Sequence, residues 1–593
     1  MTSTPHRHSL VFLSALAIPL AALSAGVAWT LVKLIALITQ LAFYQRFSFV
    51  PISPADHALG WGVLLVPVVG GLIIGVMARY GSKAIRGHGI PEAMEQILLN
   101  RSRIPARITV LKPVSAAISI GTGGPFGAEG PIIATGGALG SLLGQFLSVT
   151  ASERKTLLAA GAAAGMTAIF GSPIAAVLLA VELLLFEFSI RSLVPVALAC
   201  ASAAAFRCWL FDPAPVFAMP SIAAVSPAAL FACLALGAGA GVASVVVSRG
   251  VYWVEDQFER LPLHWMWWPA LGALGVGFIG HFAPRTLGVG YDNIADILSN
   301  SLPIRLVAWL CLMKLCSWLI ALGSGTSGGT LAPLLTIGSG FGALFTVALN
   351  YLVPGLDLPI GLGALVGMTA LFAGASRALL ASVVFAFETT LQPQAFPALL
   401  AGATASFLVA HLLSQHSIMT EKIARRGVRV PHSYGPDPLE QIRVADVMTG
   451  DFQTVPATLS VGELANGIAA HDPTVSRRQA SLLLDEQQQL VGVVTRADIV
   501  RATAANQYLL AVQNIARKTV IVAFPDETLR EAITKMMRHQ VGRLPVVDRA
   551  RPQTPIGYLG RGEILSAQAA EAREPGWIER LVPTLATAEK AAP

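Results

Sequence analysis

Residues Lys112–Pro131 read KPVSAAISIGTGGPFGAEGP, and residues Lys314–Pro333 read KLCSWLIALGSGTSGGTLAP. At an offset of 202 residues they match Lys112 with Lys314, Gly121 with Gly323, Gly123 with Gly325, Gly127 with Gly329 and Pro131 with Pro333. The same offset lays GMTAIF from Gly165 over GMTALF from Gly367. Low complexity produces chance Gly and Ala matches, but not one offset held across separate blocks. The chain is therefore built from two homologous halves with Gly/Pro-interrupted apolar segments at corresponding positions. In a membrane protein this points to a transport site at the interface between the repeats.

The composition places these halves in a membrane. Of 593 residues, 54% are hydrophobic and 13% charged, with mean hydropathy +0.64; a soluble domain carries roughly twice that charge. From Glu421 onward 40 of 173 residues are charged, against 35 in the first 420, so a membrane body precedes a soluble tail. Apolar segments recur near 9–42, 58–78, 108–120, 131–148, 157–187, 192–210, 226–250, 266–282, 303–322, 333–353, 358–390 and 395–413. Some exceed the ~20 residues a span needs and others fall short. Short ones imply helices that stop partway, which is tolerated only where protein or a cavity covers the broken backbone. The first, from Ser9 to about Gln40, is far longer than the ~7–15-residue core of a signal peptide and reads as a retained helix.

Three basic groups set the orientation: Arg79, Lys83 and Arg86; Arg101, Arg103 and Arg107; and Lys422, Arg425, Arg426 and Arg429. All three, and hence the tail, are assigned to the cytoplasmic side. The net charge of +7 is no nucleic-acid signal, because the tail is nearly balanced and has no basic run interleaved with aromatics. Cys200, Cys208, Cys233, Cys311 and Cys316 form no CxxC pair and sit in apolar stretches, so they read as small hydrophobes and no metal site is expected.

Three segments share one design of glycines, then proline, then an apolar helix: GHGIPEAMEQIL from Gly87, GAEGPIIATGG from Gly127 and GGTLAPLLTIG from Gly328. Proline suits a first helical turn, where its missing N–H would be unpaired anyway. The glycines allow close backbone approach. Each helix start offers free N–H groups and the positive end of a dipole, which inside a membrane make an anion site without a full positive charge. One such segment alone reads as helix packing; three, two of them repeat-related, favour the site. Glu129 stands beside these amides, where a carboxylate can occupy the anion's own place and leave on protonation, acting as a gate or proton carrier. The competing reading is a salt bridge with Lys112 or Lys314. Those lysines either raise the potential along an anion path or snorkel to the interface. Glu182 and Glu388 end apolar runs and are expected to reach a membrane interface.

At these residues the chain resembles the CLC family of chloride channels and proton-coupled chloride transporters, from roughly Ser9 to Arg426. The family's GxGIP stands as Gly87-His88-Gly89-Ile90-Pro91, its GxEGP as Gly127-Ala128-Glu129-Gly130-Pro131, and its GxxxP as Gly329-Thr330-Leu331-Ala332-Pro333. The resemblance implies an all-α membrane domain of two inverted-topology repeats, a homodimer with one anion pore per subunit, those three segments as the anion-binding lining, and Glu129 as the external gate. The chain departs from the pattern at four positions. His88 replaces a common serine, and Ala128 a common arginine. Leu183 stands where many exchangers carry an internal proton-transfer glutamate. Met419 replaces the pore tyrosine. Leu183 favours a channel or uncoupled transport over H+/Cl− exchange, and His88 and Met419 leave chloride, nitrate and fluoride open.

After a Pro-rich linker, two related units follow, one ending in VGVVTRADIV at Val491–Val500 and the other in IGYLGRGEIL at Ile556–Leu565. They resemble a tandem pair of CBS domains, an α/β module that commonly senses adenine nucleotides. Thr495 and Asp498 match positions that meet phosphate and ribose; the second unit has Gly560 and Glu563 there. The alternative is a dimerisation module that binds nothing. The expected organisation is a membrane domain over 1–430, a linker over 431–443, CBS units over 444–505 and 506–570, and a tail over 571–593. The function expected is permeation of chloride or another small anion, with or without protons, across a bacterial-type inner membrane, with no cofactor required. A CBS-regulated cation transporter would need a cluster of intramembrane carboxylates, and an enzyme a nucleophile–base pair or phosphate loop; the sequence shows neither.

Overall fold

The computed structural model describes residues 5–147, 149–212, 214–428, 439, 442–517 and 519–572, and divides into two units, Met1–Tyr434 and Gly435–Pro593. Arg429, most of the 431–443 linker and residues 573–593 of the tail lie outside the described residues.

The first unit is a multi-pass helical body. Among the described residues, seven helices are long and apolar enough to cross a membrane, while Ile108–Gly121, Pro173–Leu185, Ile360–Ser376 and Leu379–Thr390 are shorter apolar helices. The first helix, Pro5–Tyr44, runs unbroken through Pro19. Two apolar runs that read as single segments, 157–187 and 358–390, are each two helices. Gly171, at φ +63°, ends Ala151–Phe170, and Pro173 starts the next helix. Arg377, at φ +64°, ends Ile360–Ser376 before Leu379–Thr390 begins. A left-handed stop leaves no trace in hydropathy. Arg377 is held there by its guanidinium, which donates to the carbonyls of Ala410 at 2.5 Å and Ser414 at 2.9 Å.

The two halves pack alike. Pro5–Tyr44 lies against Ile190–Leu210 and Ala151–Phe170, and Pro227–Glu259 against Phe396–Leu413 and Ile360–Ser376. Glu129–Phe146 packs on Ala151–Phe170, and Leu331–Leu352 on Ile360–Ser376. Glycines close both contacts: a Cβ on Gly136 would strike the Gly161 carbonyl, and one on Gly342 the Gly363 carbonyl.

Repeat mates also pack on each other, Leu65–Val76 on Trp268–Phe282 and Pro173–Leu179 on Leu379–Thr390. The second of these contacts is reciprocal. Glu388 accepts from the N–H groups of Ile174 (3.1 Å) and Ala175 (2.8 Å), and Glu182 from those of Leu380 and Ala381 (both 3.0 Å). Such exchanged contacts are what a two-fold relation between halves produces. The expectation that these glutamates reach a membrane interface is therefore corrected. Each caps the start of a helix in the other half, where first-turn N–H groups would otherwise be orphaned away from water.

The second unit holds two α/β lobes. In the first, Thr454–Pro456 pairs parallel with Ala480–Leu484, which pairs antiparallel with Leu490–Thr495 (Ala480 opposite Thr495). In the second, Arg543–Val547 pairs antiparallel with Pro555–Gly560. Capping boxes start the helices Val461–Ala469, Arg496–Ala504 and Leu529–His539, at Ser460/Glu463, Thr495/Asp498 and Thr528/Glu531.

Candidate functional site

The three Gly/Pro segments interlock through backbone that only glycine permits. Gly127 N–H donates to the Gly329 carbonyl at 3.1 Å, and Gly329 N–H donates back at 2.9 Å, so these repeat mates meet on the two-fold relation itself. Gly87 pairs beside Ser327. A Cβ on Gly89 would collide with Gly130, and one on Gly130 with the His88 carbonyl and the Gly329 Cα. The starts of Ile90–Leu99, Glu129–Phe146 and Leu331–Leu352 thus converge. With them come Ile90, Pro91, Ala128, Pro131, Thr330, Leu331, Ala332 and Pro333, all buried.

Glu129 is fully buried, and its carboxylate lies in the crevice between Gly127 and Gly329. Oε1 accepts a hydrogen bond from the Tyr291 hydroxyl at 2.7 Å. Oε2 completes no hydrogen bond of good geometry, and the backbone amides of Glu129 and Ala332 face the carboxylate. Each of the other two segments also carries such an atom: His88 Nδ1 in the first and Thr330 Oγ1 in the third. Buried polar groups are normally satisfied, so polar atoms left without a full bond in each of the three segments mark a polar locus at these helix starts.

Both motif lysines are buried, at 1% and 0% exposure, which excludes snorkelling. Lys112 Nζ donates to the carbonyls of Ile85 (2.9 Å) and Gly87 (2.8 Å), and Lys314 Nζ to those of Thr286 (2.9 Å) and Gly288 (3.0 Å). Among the described residues neither forms a salt bridge with Glu129, so the competing ion-pair alternative finds no support. Each lysine pins a glycine loop beside the site.

The parallel anchoring exposes a fourth loop that the motif reading missed. Gly288-Val289-Gly290-Tyr291 is the repeat mate of Gly87-His88-Gly89-Ile90, with both glycines of each pair at positive φ. Tyr291 starts the helix Tyr291–Leu298. The shared Gly-x-Gly ahead of a short helix was the available signal; the replacement of Ile-Pro by Tyr-Asp hid it.

Two cavities adjoin the site. One, of about 660 Å³, is lined by Gly87 and His88 with Lys83, Arg86, Glu92 and Lys422, so residues from two of the basic groups share it. Lys422 pairs with Glu92 at 3.1 Å, and Glu92 caps its own helix by accepting from Gly89 N–H at 2.7 Å. The other, of about 230 Å³, is lined by Ala128 and Tyr291 with Thr39, Ser53 and Asp292. Met419 is fully buried and outside the lining of the larger cavity. Leu183 is buried and beside the helix-capping Glu182.

In the second unit Thr495 and Asp498 bond chiefly to each other. Thr495 Oγ1 donates to Asp498 Oδ2 at 2.6 Å, and Asp498 N–H returns to Thr495 Oγ1 at 3.3 Å. Thr495 also lines a cavity of about 190 Å³ with Arg517, Gln540 and Arg543. Gly560 N–H donates to Glu563, which pairs with Arg478 across the two lobes at 2.6 Å.

Residues 70–411 match the model of the voltage gated chloride channel family, and 444–505 and 512–570 match the CBS domain. The chain is 30% identical to the ClcB-like chloride channel protein of Ralstonia nicotianae, over 63% of this chain and 89% of that one. It is 29% identical to the H(+)/Cl(-) exchange transporter ClcA of Vibrio campbellii, over 57% and 74%. Its fold is similar to that of a slow cyanobacterial Cl-/H+ antiporter, with a TM-score of 0.62 and 24% identity over 72% of this chain and 99% of that one.

Proposed function

The chain belongs to the voltage-gated chloride channel family, and from that premise we propose that it carries a small anion, chloride first, across a bacterial inner membrane. The observation that carries this reading is the convergence of three helix starts on Glu129, with a polar atom left without a full bond in each segment. Backbone amides at helix N-termini hold an anion without a fixed cation. The buried amines of Lys112 and Lys314 hold the glycine loops in place. The Glu129 carboxylate competes with the anion for the crevice. A proton neutralises it, removes its attraction to the amides, and frees the path.

We read the transport as channel-like or uncoupled. Leu183 cannot hold a proton, and the carboxylate of Glu182 beside it is committed to the N–H groups of Leu380 and Ala381. We assign the larger cavity and the tail to the cytoplasmic side, because basic groups gather there. We take the working unit to be a homodimer, and place adenine-nucleotide binding in the CBS cleft of Thr495, Arg517 and Arg543.

Liposome flux under a chloride gradient, with internal pH followed, tests this. Chloride flux without uphill proton movement supports it, and Glu129→Gln should make that flux independent of pH. Proton uptake driven by chloride would replace the uncoupled reading with exchange. Absence of halide, nitrate and fluoride flux would reject anion transport.

A further inference from the structure

Tyr291 is the one phenol that touches Glu129 among the described residues, and it arrives from the fourth glycine loop. Its ring sits in an aromatic nest, with Phe170 at 5.8 Å and Phe217 at 5.9 Å, and Phe170 stacks edge-on against Phe385 at 4.8 Å. A phenylalanine would fill that nest equally well. The hydroxyl is costly to bury unless it is bonded, and its bond is to the Glu129 carboxylate.

The loop holding it is rigid. Gly288 and Gly290 adopt φ +68° and +75°, and Lys314 grips the Thr286 and Gly288 carbonyls. Tyr291 also lines the smaller cavity together with Ala128, so it stands between that cavity and the crevice. The repeat mate of Tyr291 is Ile90, which carries no hydroxyl, and neither His88 nor Met419 supplies one at the other end. Tyr291 is thus the hydroxyl that bonds Glu129, whereas the Thr330 hydroxyl of the third segment has no partner.

We propose that Tyr291 is the latch of the gate: its hydroxyl holds the Glu129 carboxylate in the crevice and, once that carboxylate leaves, donates to the permeating anion in its place. The proposal rests on Glu129 being the gate. A phenol donor serves both acceptors because a carboxylate oxygen and a halide ion each take an O–H hydrogen bond at the same locus. The charged groups acting on this pair from neighbouring elements are Lys314, on Ile304–Gly323, and Arg207, on Ile190–Leu210; both are bound to backbone carbonyls. The latch is therefore the hydroxyl rather than a competing ion pair.

The test is chloride flux through the full chain in liposomes between pH 4.5 and 8.5, for the native protein, Tyr291→Phe, Glu129→Gln and the double variant. Tyr291→Phe keeps the ring and removes only the donor. It should move the pH of half-maximal flux upward by about one unit, the consequence of an about tenfold weaker hold on the ionised carboxylate. It should also weaken chloride binding several-fold by calorimetry, and the double variant should show the flat pH profile of Glu129→Gln. A flat profile for Glu129→Gln with a native profile for Tyr291→Phe rejects the latch and leaves the gate standing. A native profile for Glu129→Gln rejects the gate itself. A Tyr291→Phe variant that no longer elutes as the native assembly on size-exclusion chromatography, where Glu129→Gln does, assigns Tyr291 to structure and overturns the latch.

Discussion

Lys112 and Lys314 show how single residues build this site. Each satisfies two backbone carbonyls from a buried amine, and so sets a glycine loop. Lys314→Met keeps the chain's volume but strips Thr286 and Gly288 of their donor. It should cost about 2 kcal/mol, the worth of charge-assisted bonds lost from a buried site, read as a lower melting temperature in detergent. Flux should also fall, because the Tyr291 loop loosens. A Lys314→Met variant with native stability and flux would show that the anchoring is incidental. Gly130 is the complementary case. Gly130→Ala forces a methyl into the His88 carbonyl and the Gly329 backbone, neither of which is a flexible side chain. Its expected outcome is loss of flux with the membrane body still assembled, checked by size-exclusion chromatography beside the flux assay.

Helices here depend on partners in the other half. Pro173–Leu179 and Leu379–Thr390 each begin on a carboxylate that the other half provides. Glu182→Ala should cost about 1–2 kcal/mol, the usual worth of a lost helix cap with its dipole interaction, and Glu182→Gln roughly half, since an acceptor oxygen remains. Glu388→Ala should match it. Because both caps sit on one helix pair, the double variant should depart from additivity by about 0.5 kcal/mol or more. Additive losses in a thermal-melt cycle would mean that the two caps act separately. These carboxylates were legible as ionisable residues near the ends of apolar runs, but their role was not. Their acceptor bonds join residues 198 and 214 positions apart, and no local pattern encodes such a pairing. The fourth glycine loop was half legible for a related reason: the turn kept its glycines and a short helix after it, while the first two helical residues diverged.

On the scale of the whole molecule, acid acts on the C-terminal unit through its paired carboxylates. In the C-terminal unit the Arg549 guanidinium hydrogen-bonded to Asp526 holds that carboxyl below its usual range. Burial pushes the Glu563 carboxyl up, but hydrogen bonds from Arg478 and Gly560 outweigh it and leave it lowered. A carboxyl whose folded value lies below its unfolded one stabilises the fold above the unfolded value and loses that contribution as pH falls through the folded one. The C-terminal unit should therefore lose stability below about pH 4, modestly, since the Asp526 pair is more than half exposed. Hydrogen exchange over residues 442–572 of the full chain would show this. Protection unchanged down to pH 3, or acid sensitivity undiminished in Arg478→Ala with Arg549→Ala, would contradict it.

The sequence alone determined the two-half construction, the membrane body with its charged tail, the glycine–proline helix starts and Glu129 among them. Those features are local or periodic: composition, a constant offset, and glycine where backbone must come close. Only the tertiary structure decided what the carboxylates face. It placed Glu129 against Gly127, Gly329 and Tyr291, committed Glu182 and Glu388 to opposite helix starts, and turned two lysines from candidate surface charges into buried anchors. A polar side chain inside a membrane protein takes its role from whichever partner the fold carries to it, and that partner lies in most of these cases far along the chain.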